Sequence, residues 1–195
     1  NASIVTDRFH VVKLVTDALQ HIRIEHRWAE IKKENQAIKD AKAKGEKYIP
    51  EVLSNGDSPK QLLARSRYII TKSKSDWTKN QEERAKLLFK LYPDIETAYK
   101  HSMEFRNIYK LAIHSDAKEK MVKWIEGTKT LPFDHFNTAA NSIKYHLETI
   151  LHFFNNRNTN ANAESFNSKI KLFRANLRGV TDIKFFLFRL EKLFA

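Results

Sequence analysis

Apolar residues along this chain recur mostly three and four positions apart, the spacing of one helix face. Val12, Val15, Leu19 and Ile22 follow it within "DRFHVVKLVTDALQHIRIEHRWAEI", which predicts a helix starting just after Asp7. The pattern thins into "KKENQAIKDAKAKGEK", the expected solvated end of that helix. Ahead of it, residues 3–6 are short and β-branched and predict a buried strand. Gly45, Pro50 and "SNGDSP" mark a loop, expected to be the disordered segment. Residues 60–73 form a compact apolar element that reads as helix. Thr78 with Gln81 is a capping-box pair opening a helix to Leu91, and Pro93 suits a first helical position. Ile95, Ala98, Ser102, Phe105, Tyr109 and Ala112 then share a face. Asp116 with Glu119 predicts another helix start, and Gly127 its C-terminal cap. From Phe136 through Ala140, Ile143, Leu147 and Ile150 to Phe154 the spacing predicts one long amphipathic helix. A polar loop over 155–162 and two helices, 163–176 and 182–194, close the chain. The expected fold class is mainly α.

Composition supports that reading. Four Gly and four Pro are too few for a turn-rich β fold, and 13 Phe supply a sizeable core. The net charge of +12 calls for an anionic partner, most simply nucleic acid. The absence of cysteine excludes disulfides and thiolate metal sites. No apolar run approaches the roughly 18 residues of a membrane helix. The chain opens on Asn and at once enters a strand-like stretch, so it is expected to be a piece of a longer protein.

Three places carry candidate chemistry. On a helix over 163–178, Phe166, Ile170, Phe173 and Leu177 fall on one side. Asn167, Lys171, Arg174 and Arg178 fall opposite, with Glu164 beside them. A hard divalent ion takes carboxylate oxygen, and a phosphate it activates takes nearby cations. The same pattern also suits a plain solvated face whose first-turn acid answers the helix dipole. Asp7, where the strand-like segment meets a helix, suits either the rim of a site or an N-cap. His10 suits phosphate contact or simple packing. Trp77, among basic residues, suits a stacked base or a packed helix start. His21 and His26, five apart, do not have metal-ligand spacing.

With Asp7 and Glu164 in view, "VTDRFHVVKL" resembles the second-aspartate segment of bacterial insertion-sequence transposases of the DDE superfamily, ISL-three type. "NRNTNANAESFNSKIK" resembles that family's glutamate segment, Asn-Gly-x-x-Glu-Gly-x-Asn-Asn-x-Ile-Lys. Asn160, Glu164, Asn167, Ile170 and Lys171 match it, whereas Ala161, Ser165 and Ser168 replace two glycines and an asparagine. The middle of the chain and "FRANLRGVTDIKFFLFRL" are similar to the family's helical middle and closing stretch.

The resemblance implies a ribonuclease H-like catalytic core interrupted by a large α-helical insertion. Residues 1–27 and 156–195 would belong to the core and 28–155 to the insertion. It implies an enzyme that cleaves and transfers DNA strands, using two Mg²⁺ or Mn²⁺ ions held by three carboxylates. Asp7 would be the second carboxylate and Glu164 the third. The first would lie upstream of residue 1, so this piece alone is expected to be inactive and to bind metal weakly. His10, Asn160, Asn167, Lys171, Arg174 and Arg178 would contact nucleic acid. The implied partners are transposon ends and target DNA, with no membrane and with action as a homodimer. The implied location is the bacterial cytoplasm beside the nucleoid. The competing readings are a non-catalytic, basic, helical nucleic-acid-binding module and a degenerate transposase remnant.

Overall fold

The computed structural model describes residues 5–157 and 161–194, without the side chains of residues 156, 161–164 and 194. The chain is mainly α, and no strand occurs among the described residues. It divides into two compact units, residues 1–156 and 157–195.

The first unit is organised around α1, Arg8–Ala43. Its inner half buries Val11, Val15, Ala18, Leu19 and Ile22, a stripe at helical spacing. The outer half buries nothing beyond Arg23, as its polar sequence requires. Around α1 stand α2 (Pro59–Arg65), α4 (Pro93–Ile108) and α6 (Asp134–Tyr145), with α3 (Lys79–Leu91) on α4 and α5 (His114–Thr128) on α4 and α6. Two short helices, α7 (Leu147–Leu151) and α8 (Phe153–Asn156), finish the unit.

Most starts and stops follow the predicted capping chemistry. Thr78 accepts the Gln81 N–H while the Gln81 side chain returns to the Thr78 N–H, and Pro93 opens α4. Ser58 and Gln61 form a second capping box at α2, which ends at Arg65 rather than near residue 73; turns carry the chain on through Ile69 and Ile70.

Other expectations are corrected. The segment before Asp7 is not a strand where it is described: Val5 and Thr6 are non-helical, and Ser3 and Ile4 lie outside the described residues. The helix expected from Asp116 begins at His114, and Gly127 lies inside it. The long helix expected over 136–154 breaks at His146 and His152 into α6, α7 and α8. The break lets Phe153 and Phe154 turn their rings onto Tyr109, with centroids at 5.4 and 5.6 Å.

The loop expected to be disordered is instead pinned. Asp57 is 1% exposed and accepts from Arg65 and from Arg84 Nε at 3.3 Å, while its carbonyl accepts the Leu53 N–H at 2.8 Å. One buried carboxylate thus ties the loop to α2 and α3. The core beyond is aromatic: Phe105 and Phe136 are fully buried, and the Phe105 and Trp124 centroids lie 4.6 Å apart. Trp77 packs between Phe89 and Tyr99 and donates Nε1–H to the Ile69 carbonyl at 2.9 Å. It is therefore a packing residue.

His101 is buried at the α4–α5–α6 junction, stacked on Trp124 at 4.5 Å. The Thr128 hydroxyl donates to the Trp124 carbonyl, so His101 Nε2–H donates to Thr128 Oγ1 at 2.7 Å. Burial holds the ring neutral, lowering its pKa from 6.5 to about 4. Exposed Glu104, 3.6 Å from Nδ1, is too solvated to offset that.

The second unit is a pair of helices, α9 (Ala161–Asn176) and α10 (Ile183–Phe194). Phe173 of α9 stacks on Phe186 of α10 at 5.6 Å, and the Arg189 guanidinium lies 5.1 Å from the Phe173 ring.

Two outcomes follow. Asp57→Asn should destabilise the protein by about 2 kcal/mol, below the ~3–5 for a fully buried pair because Arg65 can rehydrate; urea denaturation measures it. The His101 linkage runs one way. The unfolded ring binds a proton below about 6.5 and the folded ring only near 4, so stability is full above 6.5 and falls across that window. Thermal melts between pH 7 and 4 should show a shallower loss in His101→Gln.

Candidate active site

One group of candidate residues is built at the start of α1. The Thr6 N–H donates to the Thr149 carbonyl at 3.0 Å. The Thr149 hydroxyl donates to the His146 carbonyl, so the Thr6 hydroxyl donates to Thr149 Oγ1 at 2.7 Å. These bonds hold the entry segment against α7 and fix where α1 begins. Asp7 then takes an extended conformation, and its Oδ1 accepts the Phe9 N–H at 2.6 Å. Its carboxylate therefore serves as the N-cap, satisfying one of the first donors of a 36-residue helix. Asp7 is buried, whereas Arg8, Phe9 and His10 are exposed.

The surroundings are cationic. An open cleft of about 420 Å³ lies beside this helix start, lined by Arg8, Phe9, Arg106, Asn107, Tyr109 and Lys110. Arg106 is fixed there by donating to the Thr71 carbonyl at 2.6 Å. Burial drives the Tyr109 phenol well above its ordinary pKa, with Arg8 pulling it back and Asp7 pushing it further. Asp7 and Arg8 thus share electrostatic reach of one buried ring. The sequence did not single out Arg106 or Lys110. Arg106 is in the last turn of α4 and Lys110 just past its end, and only the packing of α4 on α1 brings them to this cleft.

The other candidate residues belong to the second unit. Asn160 and the Glu164 side chain lie outside the described residues; the Glu164 backbone is in the first turn of α9. Asn167, Lys171 and Arg174 are exposed, as are most described positions of α9; on the expected apolar side Phe173 is half-buried and stacks on Phe186, whereas Phe166 and Leu177 are exposed. Arg178 departs from that face. α9 ends at Asn176, and Arg178 sits past it at φ 53°, followed by Gly179 at φ 120°. A left-handed Arg before a glycine is a helix-ending turn, so Arg178 no longer follows the helical register.

Among the described residues no group of three His, Asp or Glu side chains forms a metal cluster. His26 instead pairs with Asp94, and His21 stacks on His135 at 4.1 Å, so neither waits for an ion. The Asp7 carboxylate is a hard oxygen donor of the kind Mg²⁺ takes, and its Oδ1 carries the cap bond. No helix among the described residues is long and apolar enough to cross a membrane.

A family model described as Transposase, for the ISL-three type of the DDE class, matches residues 1–190. No curated protein and no solved structure gives a significant match. A match over nearly the whole chain, through both the Asp7 segment and the Glu164 segment, settles the family: the chain belongs to the ISL-three type of DDE transposases.

Proposed function

We propose that this chain takes part in metal-dependent cleavage and transfer of DNA strands during movement of an insertion sequence, with Asp7 and Glu164 as two of the carboxylates that hold the ions. The observation that carries the reading is the family match across residues 1–190. Carboxylate oxygen suits Mg²⁺ or Mn²⁺, which when bound would activate the attacking hydroxyl and stabilise the leaving oxygen. The protein's own contribution is positional. Thr6 and Thr149 fix the start of α1, and the cap bond orients the Asp7 carboxylate. Arg8, Arg106 and Lys110 beside it, and Asn167, Lys171 and Arg174 on α9, would hold the DNA backbone without reading sequence. His10, exposed in the first turn of α1, joins the first group; Asn160 and Arg178 flank the second in sequence.

In this reading residues 1–27 and 156–195 form part of a ribonuclease H-like core and 28–155 an inserted helical lobe, the two sharing α1. Action as a dimer on transposon ends and target DNA, in the cytoplasm beside the nucleoid, belongs to the same proposal. One observation favours the alternative of a non-catalytic DNA-binding module: the visible work of Asp7 is to cap a helix.

Asn caps a helix about as well as Asp, so two substitutions separate the roles. In the intact transposase, Asp7→Asn should leave stability within a few tenths of a kcal/mol yet abolish strand cleavage in Mg²⁺ or Mn²⁺, whereas Asp7→Ala should also lose about 1 kcal/mol of stability. Glu164→Gln should abolish cleavage as well. Wild-type cleavage by both Asp7→Asn and Glu164→Gln would leave the binding module as the better reading. Separately, Lys171→Ala with Arg174→Ala should weaken duplex binding equally across sequences. The slope of log affinity against log salt should fall by about 2, near 0.9 per lost phosphate contact.

A further inference from the structure

A second group of cations lies on α1, well along the helix from Asp7. Arg23 is 5% exposed, and its guanidinium donates Nε–H to Gln20 Oε1 at 2.7 Å and Nη1–H to the Leu63 carbonyl at 2.9 Å. Five N–H donors are available on that group, and these bonds use two of them. Gln20 in turn donates to the Arg67 carbonyl at 2.7 Å, which fixes the turn after α2 against α1. Arg27, one helical turn beyond Arg23, and Arg67 are exposed on the same open cleft of about 650 Å³. Exposed Trp28 and His21 also line it.

Among the described residues, none of these three arginines has an ion-pair partner. Asp17 lines the cleft but pairs with Lys13. The contrast lies close by: Arg65 and Arg84 both pair with Asp57, so each of those cations has an acidic partner. Burial first, then Arg27 and Arg67, lowers the Arg23 pKa from 12.5 to about 10, and the group stays charged at neutral pH. Burying a charge beside two like charges is unfavourable unless an anion joins them.

We propose that this cleft binds a phosphate oxyanion of the DNA backbone, with Arg27 and Arg67 gripping it from the rim above the buried Arg23. That the anion belongs to DNA rests on the transposase reading; that an anion is needed rests on the uncompensated cluster. A guanidinium fork matches two phosphate oxygens, and Trp28 beside it offers a flat face to the adjoining sugar or base. Arg23 positions the site; Arg27 and Arg67 are the contacts.

The test uses the whole chain and two double variants, Arg27→Ala with Arg67→Ala and Lys171→Ala with Arg174→Ala. Fluorescence anisotropy against a labelled duplex is measured across a salt series. Thermal melts are run in inorganic phosphate and in chloride at equal ionic strength. The rim variant should bind duplex roughly tenfold more weakly at low salt and lose about 2 from the log–log salt slope. It should melt at or above wild type in chloride, because like-charge crowding around Arg23 is relieved. Unchanged affinity and slope in the rim variant, with the α9 variant weakened, overturns the second site and leaves the transposase reading standing. Phosphate stabilising wild type over the rim variant, with duplex affinity unchanged, assigns the cleft to a free anion and overturns the DNA proposal. No duplex binding by wild type at low salt overturns this site and the DNA-contact reading together.

Discussion

The structure of residues 1–156 depends on burial of one stripe of α1. Val11, Val15, Leu19 and Ile22 face α2, α4 and α6, and full burial of such side chains contributes about 1.5–3 kcal/mol each. The rest follows from where that stripe stops. Inside it the other helices close around a nearly dry aromatic core. Beyond Ile22 the helix has no apolar face left, and polar contacts hold it: His26 to Asp94, Lys60 to Glu34, and the Tyr92 hydroxyl to Glu30 at 3.2 Å. Both candidate DNA contacts on this unit lie along the same helix. The Asp7 cap is at its start, and the arginine cleft is where the buried stripe gives way to polar surface.

Charge is handled in two ways, and the difference carries the functional argument. Asp57 pairs with two arginines and tethers a loop, a structural use of a buried carboxylate. Around Arg23 the cations have no such acid, and the surplus is left facing an open cleft. A protein with 35 Lys and Arg against 23 Asp and Glu cannot pair every cation internally. Where the unpaired ones gather is therefore informative about the partner.

Much of the fold was legible because its helices obey local rules. Thr78 with Gln81, Pro93 and the apolar spacing of α1, α4 and α9 are short-range signals, and each produced the expected element. The failures are places where long-range packing wins. Periodicity through Phe136–Phe154 cannot show that Tyr109 draws two phenylalanines out of line. Gly127 reads as a cap, yet α5 continues past it to Thr128, whose hydroxyl bonds to Trp124 and His101. The loop holding Asp57 reads as free because its two arginine partners lie 8 and 27 positions away. Of the candidate site, motif spacing marks Asp7 and Glu164 as proposed ligands, and helical spacing puts Asn167, Lys171 and Arg174 on one face of α9. Arg106, Lys110 and the Arg23 cluster depend on helices packing across the unit, which no local pattern encodes.

The proposed role requires convergence: Asp7, at the head of the helix that organises one unit, and Glu164, in the first turn of α9 in the other, would have to act on the same metal ions. The most direct measurement is a structure of the transposase bound to transposon-end DNA in Mn²⁺, with the metal located by its anomalous signal. The account predicts manganese coordinated by both carboxylates, which then lie within about 8 Å of each other, as a shared two-metal site requires. Manganese bound away from both, with the two side chains on unrelated surfaces, would contradict it.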